Sequence, residues 1–268
     1  MPYAGVNGQR LYYEVGGEGE CVVVLHGQLA DADIMEAPAT GLATGLRAIR
    51  IDRRGHGRSG PAGAPVSVSD EAADLAHLLD WFGAEKTHLL AHDDGAGAAV
   101  EFSLAHPERV LSLGLLAPTL EGAPESAEAE KKRLELASAL HTDARKAIEE
   151  KWLASPLFDV VKESDGMFDR IAAIVRRSAE SAQVLERARA SPPAQLERLS
   201  AISTRCIILV GDRDELDRLR AAEAIADAIP GSDLVTFPGL GHFLHVEDSR
   251  AVMRRLTDFY MPEPELER

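Results

Sequence analysis

Leu89-Leu90-Ala91-His92-Asp93-Asp94-Gly95-Ala96-Gly97 is the stretch on which the reading of this chain turns. An apolar run ends, the chain has room for one tight turn, and a helix of small residues begins and continues toward His106. Small residues are required around such a turn, because its backbone is strained and runs close to its neighbours. Asp93 by itself reads as a helix N-cap, a role that aspartate fills well. Its meaning changes with what stands at fixed places elsewhere in the chain.

Upstream, Leu25-His26-Gly27-Gln28 closes an early buried run, and Asp52-Arg53-Arg54-Gly55-His56-Gly57-Arg58-Ser59 follows another. Downstream, Gly211-Asp212-Arg213-Asp214 and Gly239-Leu240-Gly241-His242-Phe243 each follow a late apolar run. A strand-turn-helix carrying a nucleophile, then an acid, then a histidine is the chain order of one hydrolytic triad arrangement, whose elbow reads G-x-S-x-G. Here those five places read Ala91-His92-Asp93-Asp94-Gly95.

With four motifs in order, the chain resembles the α/β-hydrolase superfamily along nearly its whole length. The His92-Asp93-x-Gly95 core is similar to the aspartate-nucleophile branch: epoxide hydrolases, haloalkane dehalogenases and fluoroacetate dehalogenases. The resemblance implies Asp93 as nucleophile, His242 as base and Asp214 as its orienting acid. It also implies an oxyanion hole from the backbone N–H groups of Gln28 and Asp94.

The rest of the pattern agrees with an α/β fold, a mostly parallel central sheet flanked by helices. Leu11–Val15, Cys21–Leu25, Arg47–Asp52, Thr87–Ala91, Val110–Leu116, Cys206–Val210 and Asp233–Phe237 read as strands. Helical spacing covers Asp31–Gly45, with Pro38 interrupting it, and Ser67–Phe82, with Ser69 as N-cap. It also covers Gly95–His106, Leu219–Ile229 and Ser249–Tyr260. Between about Leu120 and Leu199 the alternation stops and the pattern is helical and charged. The expected division is a core of residues 1–119 and 200–268 with a helical cap at 120–199.

An aspartate nucleophile alters the chemistry. A carboxylate attacking a carboxylic ester gives an anhydride, a poor exchange. At an sp3 carbon it displaces a leaving group and forms an alkyl ester, which water then cleaves. The expected substrate is a small epoxide or organohalide. Epoxide hydrolases protonate the opening ring with cap tyrosines, but the four tyrosines here are Tyr3, Tyr12, Tyr13 and Tyr260. Candidates for touching substrate or leaving group are Gln28, Asp94, His141, Trp152 and Phe243, with Asp94, if protonated, as the acid for an epoxide oxygen. His56, His92 and His245 read as structural. Other readings stay open: an acid–base isomerase, cyclase or lyase, an ester or lactone hydrolase descendant, or a binding protein without turnover.

The formal net charge is -15 and the pI about 5.0, which disfavours nucleic acid and anionic membrane as partners. The expected partner is a small-molecule substrate. Cys21 and Cys206 each open an apolar run and show neither a disulfide framework nor zinc spacing. No metal site, phosphate loop or organic cofactor is expected. Met1-Pro2-Tyr3-Ala4-Gly5 lacks the regions of a secretory signal, so the expected location is cytoplasmic. Oligomeric state is not legible.

Overall fold

The computed structural model describes residues 2–62, 65–140, 145–178 and 194–262. Eight strands form one sheet: β1 Tyr3–Val6, β2 Gln9–Gly16, β3 Cys21–Leu25, β4 Arg47–Ile51, β5 Thr87–His92, β6 Val110–Leu116, β7 Cys206–Gly211 and β8 Asp233–Phe237. Their order is β1-β2-β4-β3-β5-β6-β7-β8. The β1–β2 and β2–β4 pairs are antiparallel and the remaining pairs parallel.

Parallel neighbours make β3 and β5 continuous apolar runs, because both faces are covered. Val23 and Leu25 face one core, with Leu75, Leu78 and Phe102. Val22 and Val24 face the other, with Met35, Leu42 and Leu256. This alternation is the two-residue period of a strand. The first core lies under helices α2 (Val68–Trp81), α3 (Gly95–Ala105) and, beyond β7, α9 (Leu216–Ala228). The second lies under α1 (Glu36–Leu42), the short α10 (Leu244–Glu247) and α11 (Ser249–Tyr260).

Local chemistry moves several expected boundaries. The span 31–45 splits into a tight turn at Ala32–Met35, capped by Asp31, and then α1. Pro38 falls in the first turn of α1, where its missing N–H breaks no helical bond. The cap of α2 is Ser67, not Ser69: Ser67 and Asp70 satisfy each other's backbone N–H in a capping box. Helix α9 starts at Leu216, one turn before the expected Leu219. Strand β1, absent from the sequence reading, pairs with β2 through residues Tyr3 to Val6.

Between β6 and β7 the described α-helices are α4 Ala127–Leu140, α5 Arg145–Leu153, α6 Asp159–Lys162, α7 Met167–Ser178 and α8 Gln195–Arg198. Phe158, Ile171 and Val175 from this segment join the second core. Arg177 reaches Asp31 at 2.7 Å and Asp33 at 2.8 Å.

Register brings the functional loops together. Leu25 pairs with Ala91, and Gly211 with Phe237. The chain therefore leaves β3, β5, β7 and β8 at one edge of the sheet, the carboxyl end, where open α/β sheets gather their sites.

Candidate active site

Asp93 sits at the turn between β5 and α3 with φ +51°, the left-handed region that non-glycine residues rarely enter. Such a residue is strained by about 1–3 kcal/mol and is held there by its surroundings. Asp93 N–H donates to the Leu116 carbonyl at 3.0 Å, and the Asp93 carbonyl accepts from Ala96 and Thr119 at 3.2 Å each. Two glycines make room. A Cβ on Gly27 would lie 2.7 Å from the Asp93 Cβ, and one on Gly95 2.5 Å from the His26 carbonyl oxygen.

The carboxylate is buried. Its Oδ2 accepts from the Gln28 backbone N–H at 3.2 Å, the group expected in the oxyanion hole. Its Oδ1 faces His242 Nε2 at 4.0 Å. His242 Nδ1 lies 3.0 Å from Asp214 Oδ2, so the acid orients the ring. Asp93, His242 and Asp214, named from sequence, are brought together, with the His242 ring between the two carboxylates.

The charges of the three shape one another. Burial would raise the Asp93 carboxyl, but Arg218 and then His242 more than offset it, and its pKa lies below the usual 3.8. Burial likewise disfavours a charged His242. The Asp214 charge and hydrogen bond outweigh that, and the pKa of His242 lies above 6.5.

Sequence reasoning missed Arg218. It projects from the first turn of α9, with Nη1 2.8 Å from Asp93 Oδ1. The contact is at ion-pair distance but off hydrogen-bond alignment, since Oδ1 is buried without a hydrogen-bond partner. Nothing in the sequence marks it, since the helical pattern reads from Leu219 and an arginine there is ordinarily solvated.

Asp94 stands differently from the expectation. Its Oδ1 accepts from Arg53 Nη2 at 2.7 Å. Arg53 is itself buried and donates to Glu71 at 2.9 Å. The sequence reading offered Asp94 as an acid for an epoxide oxygen; in the structure its carboxyl is engaged by the Arg53 guanidinium. What remains for Asp94 is its backbone N–H at the start of α3.

The Asp52–Ser59 loop works as a clamp. Asp52 accepts from Ala32 N–H and from Arg58 N–H and Nε–H, each at 2.7 Å. Arg54 holds Asp74 with two nitrogens at 2.5 Å. Arg53 N–H donates to His26 Nε2 at 3.0 Å, which fixes the loop carrying Gly27 and Gln28. Burial, helped by Arg53, lowers His26 to about 4, so it accepts as a neutral ring.

Phe243 is buried beside His242, with ring centroids 5.1 Å apart, and Phe158 lies 5.0 Å beyond it. Trp152 is half-buried and packs edge-on to Phe158 at 6.5 Å, separated from His242 by the two rings of Phe158 and Phe243. His141 lies outside the described residues. His92 packs under the elbow, its Nε2 3.1 Å from the His242 carbonyl, and burial lowers it to about 3. His245 is buried beneath it, 4.6 Å between ring centroids. His56 is buried against His26. Among the described residues, no cluster of three His, Cys, Asp or Glu is arranged to hold a metal, and no helix is long and apolar enough to cross a membrane.

Residues 22–255 match the model of the alpha/beta hydrolase family. The chain belongs to this family. The 2-hydroxy-6-oxononadienedioate/2-hydroxy-6-oxononatrienedioate hydrolase 2 of Pseudomonas putida is 29% identical over 260 residues, covering 93% of this chain and 91% of that protein. A putative carbamate hydrolase of Variovorax paradoxus is 28% identical over 255 residues, covering 93% and 95%. Among solved structures, a thermophilic esterase from Thermogutta terrifontis superposes with a TM-score of 0.83 at 25% identity, covering 97% and 96%. The family and the fold are therefore those expected, and the chain is a hydrolase of this fold. These three names speak of other hydrolytic substrates than epoxides or organohalides.

Proposed function

We propose that this chain is a hydrolase that breaks a bond at an sp3 carbon through a covalent ester on Asp93, with an organohalide as the preferred substrate class. One observation carries the reading. A buried carboxylate occupies the elbow, with Oδ2 on the Gln28 N–H and Oδ1 turned toward His242.

In the first step a lone pair of Asp93 Oδ1 forms the O–C bond while the leaving group departs with the C–X pair. In the second, His242 Nε2 takes a proton from water, and the hydroxide attacks the ester carbonyl at Asp93 Cγ. The oxyanion that forms lies where Oδ2 already rests, against Gln28 N–H, with the Asp94 N–H as the second donor of the proposed hole; one such donor contributes roughly 3–4 kcal/mol. Collapse of the intermediate expels the alkoxide, which takes the proton from His242 and leaves as the alcohol; the Asp93 carboxylic acid left behind releases its remaining proton to solvent and is again the carboxylate. The 4.0 Å separation of Nε2 from Oδ1 suits this division of labour. A carboxylate has no proton to surrender, so the histidine serves water and not the nucleophile.

Halide is preferred over epoxide because a halide leaves as a stable anion. An epoxide oxygen calls for a proton donor. Asp94 is tied to Arg53, and Trp152 packs against Phe158.

A second reading is favoured by the names of the relatives, among them a hydrolase and an esterase. There Asp93 acts as a general base for water on an ester or lactone, with no covalent bond to the enzyme. Intact-protein mass spectrometry of His242→Ala separates the two. With haloacids, haloalkanes, epoxides and esters offered in turn, a stable adduct on Asp93 at the mass of substrate less hydrogen halide supports the first reading. An adduct at the full mass of an epoxide moves the substrate class to epoxides. Ester turnover by the unmodified protein with no adduct from any halide or epoxide supports the second.

A further inference from the structure

Asp214 holds the His242 ring at one nitrogen, but a ring can point only as steadily as its backbone allows. That backbone lies in the loop between β8 and α10, outside the strand ladder, and side chains hold it. Gly241 N–H donates to Glu247 Oε2, and Phe243 N–H to Glu247 Oε1 at 3.0 Å. The His242 carbonyl between them accepts from His92 Nε2 at 3.1 Å. Gly241 makes the approach possible: a Cβ there would lie 3.3 Å from Glu247 Oε1 and 2.8 Å from the Val160 side chain of α6. Glu247 is the last residue of α10 and half-buried, with its two oxygens folded back onto the peptide groups that flank the base. A carboxylate offers both N–H groups an acceptor, whereas an amide would set its own NH2 against one of them.

We propose that Glu247 is a positioning residue for His242, gripping the peptide groups on both sides of the base so that Nε2 stays aimed at the water that cleaves the Asp93 ester. The part played in hydrolysis rests on the reading of His242 as the base for water; the grip on the ring does not. The 3.0 Å bond to Asp214 and the 4.0 Å approach to Asp93 both depend on where the His242 backbone stands. Releasing either flanking N–H lets the ring swing about its bond to Asp214, and a misplacement of about 1 Å costs roughly 10²-fold in rate. Glu247 also brings a negative charge to a ring that already faces Asp214 and Asp93 on one account and Arg218 on the other. The neutral His92 packs against that ring, with His245 beyond it. On its own side Glu247 feels Arg213, which is paired with Glu163.

NMR of protein with isotope-labelled histidine tests the grip without turnover, with His242→Ala assigning the signals. Glu247→Gln removes the charge and leaves one N–H without its acceptor. The His242 titration should move to lower pH, and its Nδ1 proton, shared with Asp214, should exchange with solvent roughly tenfold faster or more. Glu247→Asp keeps the charge on a shorter arm that reaches one N–H at most, so its proton should also exchange faster while the titration stays closer to that of the unaltered protein. A role confined to stability would lower the melting temperature and leave both signals in place, and that result overturns the proposal. Should Glu247→Gln not fold, the exchange rate in Glu247→Asp decides in the same way. Quenched samples with bromoethane or chloroacetate then read the chemistry by mass spectrometry. Glu247→Gln should form the Asp93 ester at the unaltered rate and hydrolyse it roughly 10²-fold more slowly. Equal slowing of both steps overturns the proposal. The expected NMR changes, with no ester from either compound in any variant, keep the positioning role and remove the covalent reading.

Discussion

Replacing Arg53 by methionine should unfold this protein at a much lower temperature, although Arg53 touches no reacting atom. Its side chain is 2% exposed and lies between Glu71, 4% exposed, at 2.9 Å and Asp94, 13% exposed, at 2.7 Å. Methionine fills much of the same volume, so the loss is chiefly electrostatic. Two carboxylates lose a shared cation, and Glu71 has little access to water in exchange. Removing one partner of a buried ion pair destabilises by about 3–5 kcal/mol. For a chain of this size each kcal/mol moves the melting temperature by roughly 2–4 °C, so a mid-range loss of about 4 kcal/mol lowers it by roughly 8–16 °C. Differential scanning calorimetry reads the change directly. Adding Glu71→Leu to Arg53→Met should recover part of it, because one of the two buried negative charges that Arg53 offset is gone. A melting temperature for Arg53→Met within about 2 °C of the unaltered protein would refute the reasoning, and with it the view that Arg53 fastens the elbow to α2.

The two half-reactions should part with pH. Asp93 ionises below 3.8, so alkylation proceeds at pH 5.5, but His242, raised above 6.5, is then protonated and cannot take a proton from water; the unaltered enzyme should accumulate the Asp93 ester at pH 5.5 and clear it at pH 8.5, as read by mass spectrometry of quenched samples. Asp214→Asn should slow hydrolysis of the ester by up to roughly 10⁴-fold while leaving its formation almost unchanged, because His242 loses both its orientation and the charge that raises it; equal losses in the two rates would point to a role for Asp214 in the first step. Gly95→Ala places a Cβ 2.5 Å from the His26 carbonyl oxygen, a backbone atom that cannot swing aside, and should destabilise by about 1–3 kcal/mol in urea unfolding.

The fold was legible because its signals are local and repeat. Buried parallel strands must be apolar on both faces, so β3, β5 and β7 read directly from composition, and the short loops after them carry the residues that meet at the sheet edge. Strand β1 was not legible, since Tyr3–Val6 is short and acquires its strand character from pairing with β2. The meeting of Asp93, Asp214 and His242 was legible because each follows a strand. Arg218 and Arg53 were not, because arginine on a helix or in a charged loop is ordinarily solvated. Their meaning comes from carboxylates distant in sequence, Asp93 for Arg218 and both Glu71 and Asp94 for Arg53. Asp94 shows the same limit in reverse. Its place beside Asp93 suggested a shared proton, while the structure supplies it with a cation.

Three aspartates at one sheet edge pose an electrostatic problem that a serine elbow would not have. Asp214 is matched by His242, Asp94 by Arg53, and Asp93 by Arg218. The third pairing ties the aspartate at the elbow to a residue on another helix, so the two should behave as one unit. Asn tolerates the positive φ at position 93, which makes Asp93→Asn a test of charge and not of backbone. Either Asp93→Asn or Arg218→Gln alone leaves its partner unbalanced. The expected loss is about 2–3 kcal/mol, below the range for a fully buried pair because Arg218 keeps 18% of its surface. The double variant has no unbalanced charge and should lose little more than either single one, giving a coupling of about 2 kcal/mol in a double-mutant cycle read by urea unfolding. Additive losses would mean that Arg218 is held by solvent and its other neighbours, and that the aspartate at the elbow draws its ionised state from His242 alone.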